Sequence, residues 1–259
     1  MGARVAAVVV LIFWSGIGTA QVAAEFYLEK ANYAIGEPIF VYFQAVNEGT
    51  RPLRLYSADP NSDCSAFHIT VSNDRPAPSC AARAVSCGSS SIALQPNEKH
   101  VERILLNLAH NVSSAGEYSV KAEVATAFAY GSIITLKPAA LHFQVDPHLA
   151  KPEILQPLLD QLRSGNRIER MEGARALASA APLSLEDTLL KFADNLEFRK
   201  FAPLALHRLN TQKSMKALKD LLDKPDLDTF EFFQTRGYLA HDECADAPWR
   251  NLDITHTAR

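Results

Sequence analysis

The sequence predicts a β-sandwich followed by a short stack of paired helices. Three observations predict it: apolar residues recur at every second position between Glu25 and Asp146, the period lengthens to that of amphipathic helices after Pro147, and the second half repeats itself.

The start of the chain reads as a leader. Arg4 precedes an uncharged apolar run from Val5 to Trp14, and small residues follow up to Ala24. A run of about ten residues falls short of the roughly 20 that a membrane span needs. The expectation is therefore a cleaved secretory signal peptide over residues 1–24, with a mature start near Gln21 or Glu25. Cleavage after Ala20 places Gly18 two residues upstream, and cleavage after Ala24 places Val22 there. No cysteine ends the apolar run, which argues against lipid anchoring, and no later segment has the length of a span. The localisation expected is periplasmic or secreted.

Residues 25–148 carry the strand pattern. Tyr118, Val120, Ala122 and Val124 alternate with Glu117, Ser119, Lys121 and Glu123, as in a strand with one buried face. Similar runs cover 26–29, 39–46, 67–71, 104–108 and 141–145, separated by Gly, Pro, Asn and Ser clusters. About seven strands of this kind predict two packed antiparallel sheets. His68 and His142 fall on the polar phase and are expected to face solvent.

Pro147 and Pro152 make the join short and stiff, and residues 149–240 then read as helices over 152–163, 167–180, 184–194, 197–209, 212–223 and 228–240. The short connections predict antiparallel neighbours. RMEGARALASA at 170–180 and RKFAPLALHRLN at 199–210 place Leu177 and Leu206 in matching positions, a spacing of 29 residues. Tyr238 and Leu239 begin a third, more diverged copy. A period of this size is the signature of stacked helix pairs that cannot bury their apolar faces alone.

On these residues the chain resembles two known architectures. ARALA at 174–178 and LALHRLN at 204–210 resemble HEAT-type helical repeats. GEPIFVYFQAVNEGTRPLRL at 36–55 and AGEYSVKAEV at 115–124 resemble the early and late strands of a bacterial immunoglobulin-like sandwich. The resemblance implies a secreted bacterial protein with a binding or scaffolding role, because both folds mostly present surfaces. From His241 to Arg259 the helical period stops, and HDECADAPWRNLDITHTAR lacks the polar capping helix that such stacks normally carry. This irregular tail, 241–259, is expected to be poorly ordered.

The composition narrows function further. A formal net charge of −3 argues against nucleic acid as partner, since that would need a basic face. Searching for catalytic spacings finds no G-x-S-x-G, S-x-x-K, H-E-x-x-H, phosphate loop or G-x-G-x-x-G, so neither catalytic residues nor a cofactor are assigned. No metal site is assigned either. Asp59, Asn61 and Asp63 alternate as a calcium loop begins, but Cys64 stands where glycine is needed and Thr70 where a closing glutamate is needed. Consecutive His241, Asp242, Glu243 and Cys244 cannot converge on one ion.

Of the four cysteines, Cys64, Cys80 and Cys87 are disulfide candidates in an oxidising compartment, as Cys64 with Cys80 or Cys87, or Cys80 with Cys87. Phe230, Phe232 and Phe233 read as helical core. Arg208, Lys213, Lys216 and Lys219 belong to a basic stretch that precedes an acidic one, which makes them the candidates for docking a protein partner. The expectation is a non-enzymatic, exported protein-interaction module. Two rivals stand beside it. A carbohydrate-binding sandwich would place aromatics such as Tyr27, Tyr42, Tyr56 and Tyr130 on one face or rim, and an enzyme or inhibitor would show a concave pocket with convergent polar groups.

Overall fold

The computed structural model describes residues 21–57, 67–72, 90–124, 133–136, 140–149 and 152–239. Strands occupy the first part of the chain and helices the second. The strands are β1 (Gln21–Leu28), β2 (Asn32–Ala34), β3 (Phe40–Asn47), β4 (Leu53–Ser57), β5 (Phe67–Val71), β6 (Ser90–Leu94), β7 (Lys99–Leu105), β8 (Gly116–Val124), β9 (Ile133–Leu136) and β10 (Ala140–Asp146), with a short helix α1 (Leu106–Ala109) between β7 and β8.

Two four-stranded sheets, in the orders β7-β3-β1-β9 and β2-β10-β8-β5, are accompanied by a separate two-stranded pair, β4-β6. β1 runs antiparallel to β3 and parallel to β9, while β2 runs parallel to β10, so the first two strands lie one in each sheet and the expectation of purely antiparallel sheets is corrected: each carries one parallel pair. Alternation fixes which face is buried. In β3, Val41, Phe43, Ala45 and Asn47 are buried and their neighbours half-buried, and in β8 Tyr118, Val120 and Ala122 are buried. Phe26 and Phe43 of the first sheet meet Phe67 of the second, with ring centroids 4.8–5.9 Å apart. Each such ring contributes about 1.5–3 kcal/mol by leaving water, more than any surface ion pair on this molecule. His68 and His142 are exposed, as the phase of their strands predicts.

The described residues form ten strands where about seven were expected, with β2, β4, β6 and β9 outside the expected runs, and three further features depart from expectation. β1 begins at Gln21, four residues before the expected boundary, with Val22 and Ala24 already in the core. The run 104–108 is a strand only to Leu105 and then coils into α1, because the Asn107 side chain accepts the Ile39 N–H at 2.6 Å and the Ile39 carbonyl accepts the Leu106 N–H, ending the ladder. In β7 the apolar Val101 is exposed while Glu102 is 8% exposed and takes a 2.8 Å contact from His100 Nε2. Ile104 shares the phase of Glu102, and its burial decides the register.

After a 3-10 turn at Pro147–Leu149 come α2 (Pro152–Leu162), α3 (Arg167–Ala180), α4 (Glu186–Leu190), α5 (Ala202–Leu209), α6 (Gln212–Leu222) and α7 (Thr229–Leu239). The segment expected as one helix over 184–194 is broken into a 3-10 turn, α4 and a second 3-10 turn. The helix expected from 197 becomes regular only at Ala202, where Pro203 lies in the first turn and its missing N–H leaves no bond unmade. Gly173 lets α3 approach α2 closely, since a Cβ there would lie 2.9 Å from the Gln161 Cβ. A second apolar cluster, centred on Leu177, Leu189, Phe192, Leu206, Leu218 and Leu221, lies among these helices.

The 29-residue period is visible in the bonds. Asn166 and Asn195 each accept, on Oδ1, the N–H two residues on, both at 2.9 Å. Arg170 bonds Glu197, and Arg199 bonds Asp226, each pair 27 positions apart. Ala181 and Asn210 both take left-handed backbone at the ends of α3 and α5. Leu177 and Leu206 are both fully buried. At 228, the next step of the series, Asp228 stands in place of arginine and instead caps α7, accepting the Glu231 N–H at 2.7 Å.

That cap sets the phase of α7. Glu231, Thr235 and Tyr238 face inward, one or two turns apart, and Phe232 is exposed. The expectation of a phenylalanine core in this helix is thus corrected at Phe232; the side chains of Phe230 and Phe233 lie outside the described residues.

Candidate functional site

Arg208 is part-buried at the junction of the two halves rather than displayed on a docking face. Its guanidinium donates to the carbonyls of Asn107 and Ser179 through one nitrogen, and to the Leu108 carbonyl at 3.3 Å through another. Asn107 and Leu108 belong to α1, and Ser179 to the last turn of α3. The end of a helix leaves carbonyls without intrahelical donors and carries partial negative charge, so one arginine fork completes two helix ends at once. Beside it, Gly36 approaches Pro182 so closely that a Cβ would lie 2.8 Å from the proline Cα, and its φ of +76° suits glycine alone.

The remaining basic candidates lie on α6 and are exposed. Lys213 pairs with Asp187, which holds that carboxyl below the usual carboxylate range and raises the lysine. Lys216 Nζ lies 3.2 Å from Asp220, one helical turn on. Lys224 crosses to Asp194 at 2.7 Å, over a groove of about 430 Å³ lined by Leu190, Lys191, Asp194, Ala217, Asp220 and Lys224. Exposed ion pairs of this kind contribute little and exchange readily with other charges.

The outward face of the sheet β7-β3-β1-β9 carries a row of half-buried aromatics that the alternation of β1 and β3 predicts. Tyr27 and Tyr42 are opposite one another in the register and stack at 5.2 Å, 13° from parallel. Arg103, opposite Tyr42 on the next strand, lies 4.2 Å from the centroid of the Phe40 ring. The Tyr42 hydroxyl is raised above its usual value by burial and by the Glu29 carboxylate that it hydrogen-bonds. Gln44 Nε2 donates to Glu25 at 3.2 Å on the same face. Tyr27 and Tyr42 were legible as strand residues; their stacking with each other required the register.

Cys64, Cys80, Cys87 and Cys244 lie outside the described residues, as do Asp59 to Asp63, Tyr130 and His241 to Glu243. Among the described residues, no three His, Cys, Asp or Glu side chains are grouped so as to hold a metal ion, and no helix is long and apolar enough to cross a membrane.

No family model matches the chain, and no curated protein matches it. Among solved structures it is similar to a β-glucosidase from Listeria innocua in complex with glucose, at 11% identity over 47% of this chain and 16% of that one, with a TM-score of 0.25. It is also similar to the β-glucosidase EmGH1 from Erythrobacter marinus, at 13% identity over 46% of this chain and 16% of that one, with a TM-score of 0.24. The chain spans about a sixth of the length of these enzymes, and similarity at this level carries no argument about its fold or activity.

Proposed function

We propose that the protein is a non-enzymatic exported module in which an immunoglobulin-like sandwich and HEAT-type helical repeats make one rigid platform for a protein partner in the cell envelope. The observation that carries this reading is the fork of Arg208, which ties the carbonyls of α1 to that of α3. Two surfaces held in one fixed relation can be bound together without the ordering cost that a flexible pair would impose.

The immunoglobulin-like reading is supported by the two opening strands, one in each sheet, and by Tyr118. Its hydroxyl donates to the Ser114 carbonyl at 2.8 Å, as the corner tyrosine of such sandwiches does at the start of a late strand. The HEAT-type reading is supported by the 29-residue recurrence of caps, ion pairs and buried leucines. The docking face is the exposed side of α6, where Lys213 and Lys216 can exchange their local carboxylates for those of a partner and Lys219 lies exposed beside them.

The test is retention of envelope proteins on the immobilised mature chain and on a variant with Lys213, Lys216 and Lys219 all changed to Glu. A defined protein held by the first and lost by the second supports the reading. Equal retention by both removes α6 as the face.

The aromatic row favours a second reading, carbohydrate binding, because ring edges flanked by Arg103, Glu25, Glu29 and Gln44 offer both apolar contact and hydroxyl partners. Glycan-array binding abolished by Tyr27→Ala with Tyr42→Ala, and untouched by the lysine reversal, would replace the first reading with this one.

A further inference from the structure

We infer that the leader is removed between Ala20 and Gln21, so that the mature chain keeps residues 21–24 in β1; this rests on the reading of the protein as exported. By local chemistry the two candidate bonds are similar. Each has alanine immediately before it and a small or short residue two positions earlier, Gly18 for one and Val22 for the other. The fold separates them.

Residues 21–24 are structural on both sides. Val22, Ala23 and Ala24 pair with Asn47, Val46 and Ala45 of β3. Among the described residues, the pairing of β9 is with these same four residues, from Gln21 opposite Ile133 to Ala24 opposite Leu136. Val22 and Ala24 are 0% and 2% exposed and belong to the sandwich core. Asn47, opposite Val22, is itself fully buried and holds the following turn, donating to the Arg51 and Leu94 carbonyls and accepting the Gly49 N–H.

Cleavage after Ala24 would therefore remove β9 from its sheet, open one end of the core and expose the Asn47 network to water. Cleavage after Ala20 removes none of these contacts. A processing site four residues into a core strand conflicts with the strand, whereas one after Ala20 leaves residues 21–24 in it.

The experiment is to express the whole 259-residue chain in a bacterium with a general secretory pathway and to determine the N-terminus of the exported protein by sequencing and intact mass. A start at Gln21 is expected, with a free amine or with the lactam formed when the α-amine attacks the side-chain carboxamide and expels ammonia. A start at Glu25 or elsewhere in the exported protein overturns the inference and leaves export intact. Full-length chain retained in the cytoplasm overturns the export reading and the inference with it. Two variants read processing independently of folding. Ala20→Gln is expected to accumulate precursor and Ala24→Gln to be cleaved at the usual bond; the opposite pattern overturns the assignment.

Discussion

Arg208 donates to the Asn107 carbonyl across 101 positions of sequence, and through that bond the last turn of α1 in the sandwich part is joined to the helices. Asn107 is itself 3% exposed and accepts the Ile39 N–H through its side chain. One buried residue thus ends a β-ladder on one side and anchors the helical stack on the other.

Arg208→Ala leaves the Asn107, Leu108 and Ser179 carbonyls without their shared donor. The expected loss is about 1–3 kcal/mol, and the single unfolding transition should split in two as the halves uncouple. Arg208→Lys keeps the charge but not the fork and should fall between. Calorimetry on the three proteins checks this; one unsplit transition of unchanged midpoint in Arg208→Ala would show that the junction holds without the fork.

Gly36→Ala should destabilise by about 1–3 kcal/mol, since the new Cβ meets the backbone of Pro182 and the positive φ penalises any side chain. Gly165, with nothing within 4 Å of an added Cβ, is the control, and Gly165→Ala should be close to neutral. Urea denaturation measures both. Gly36→Ala combined with Arg208→Ala should be non-additive, because both act on one junction.

Leu177→Ala and Leu206→Ala, 29 positions apart and both fully buried, should each cost about 2–5 kcal/mol. Similar losses in equilibrium unfolding would follow from their equivalent places in consecutive units. A loss confined to one of them would mean that the sequence repeat does not carry over to the energetics.

Four carboxyls of the helical part contribute to the pH dependence. Asp187, Glu197 and Asp226 are held below the usual carboxylate range by hydrogen bonds from Lys213, Arg170 and Arg199. Their folded values lie below their unfolded ones, so their contribution is present above the unfolded value and is lost as pH falls through the folded one. Glu231 is raised by burial, so its contribution has the opposite sign and is lost as pH rises through its folded value. Tm should therefore fall on acidification below the usual carboxylate range. Glu197→Gln and Asp226→Asn should flatten that limb, and Glu231→Gln should raise Tm near neutral pH. Thermal melts across pH 2–8 on each variant check the signs.

The strands were legible where one phase was predominantly apolar, as in β3 and β8, because a period of two has one physical solution when one face is buried. β7 was not legible in this way. Lys99, His100, Val101, Glu102 and Arg103 put polar groups on both phases, and only packing of Ile104 decided that Glu102 turns inward and Val101 outward. α7 shows the same limit. Phe232 read as core, whereas with the Asp228–Glu231 cap the helix exposes it and buries Thr235 and Tyr238.

By itself the sequence determined that strands precede helices, the 29-residue repeat and the alternating row that holds Tyr27 and Tyr42, since each depends on local period and composition. The tertiary structure decided the role of Arg208, the place of residues 21–24 in β1 and the facing of Gly36 with Pro182. Each depends on chain segments far apart in sequence, and a guanidinium read along the chain is only a charge. It becomes a cap when two helix ends bring unpaired carbonyls to it.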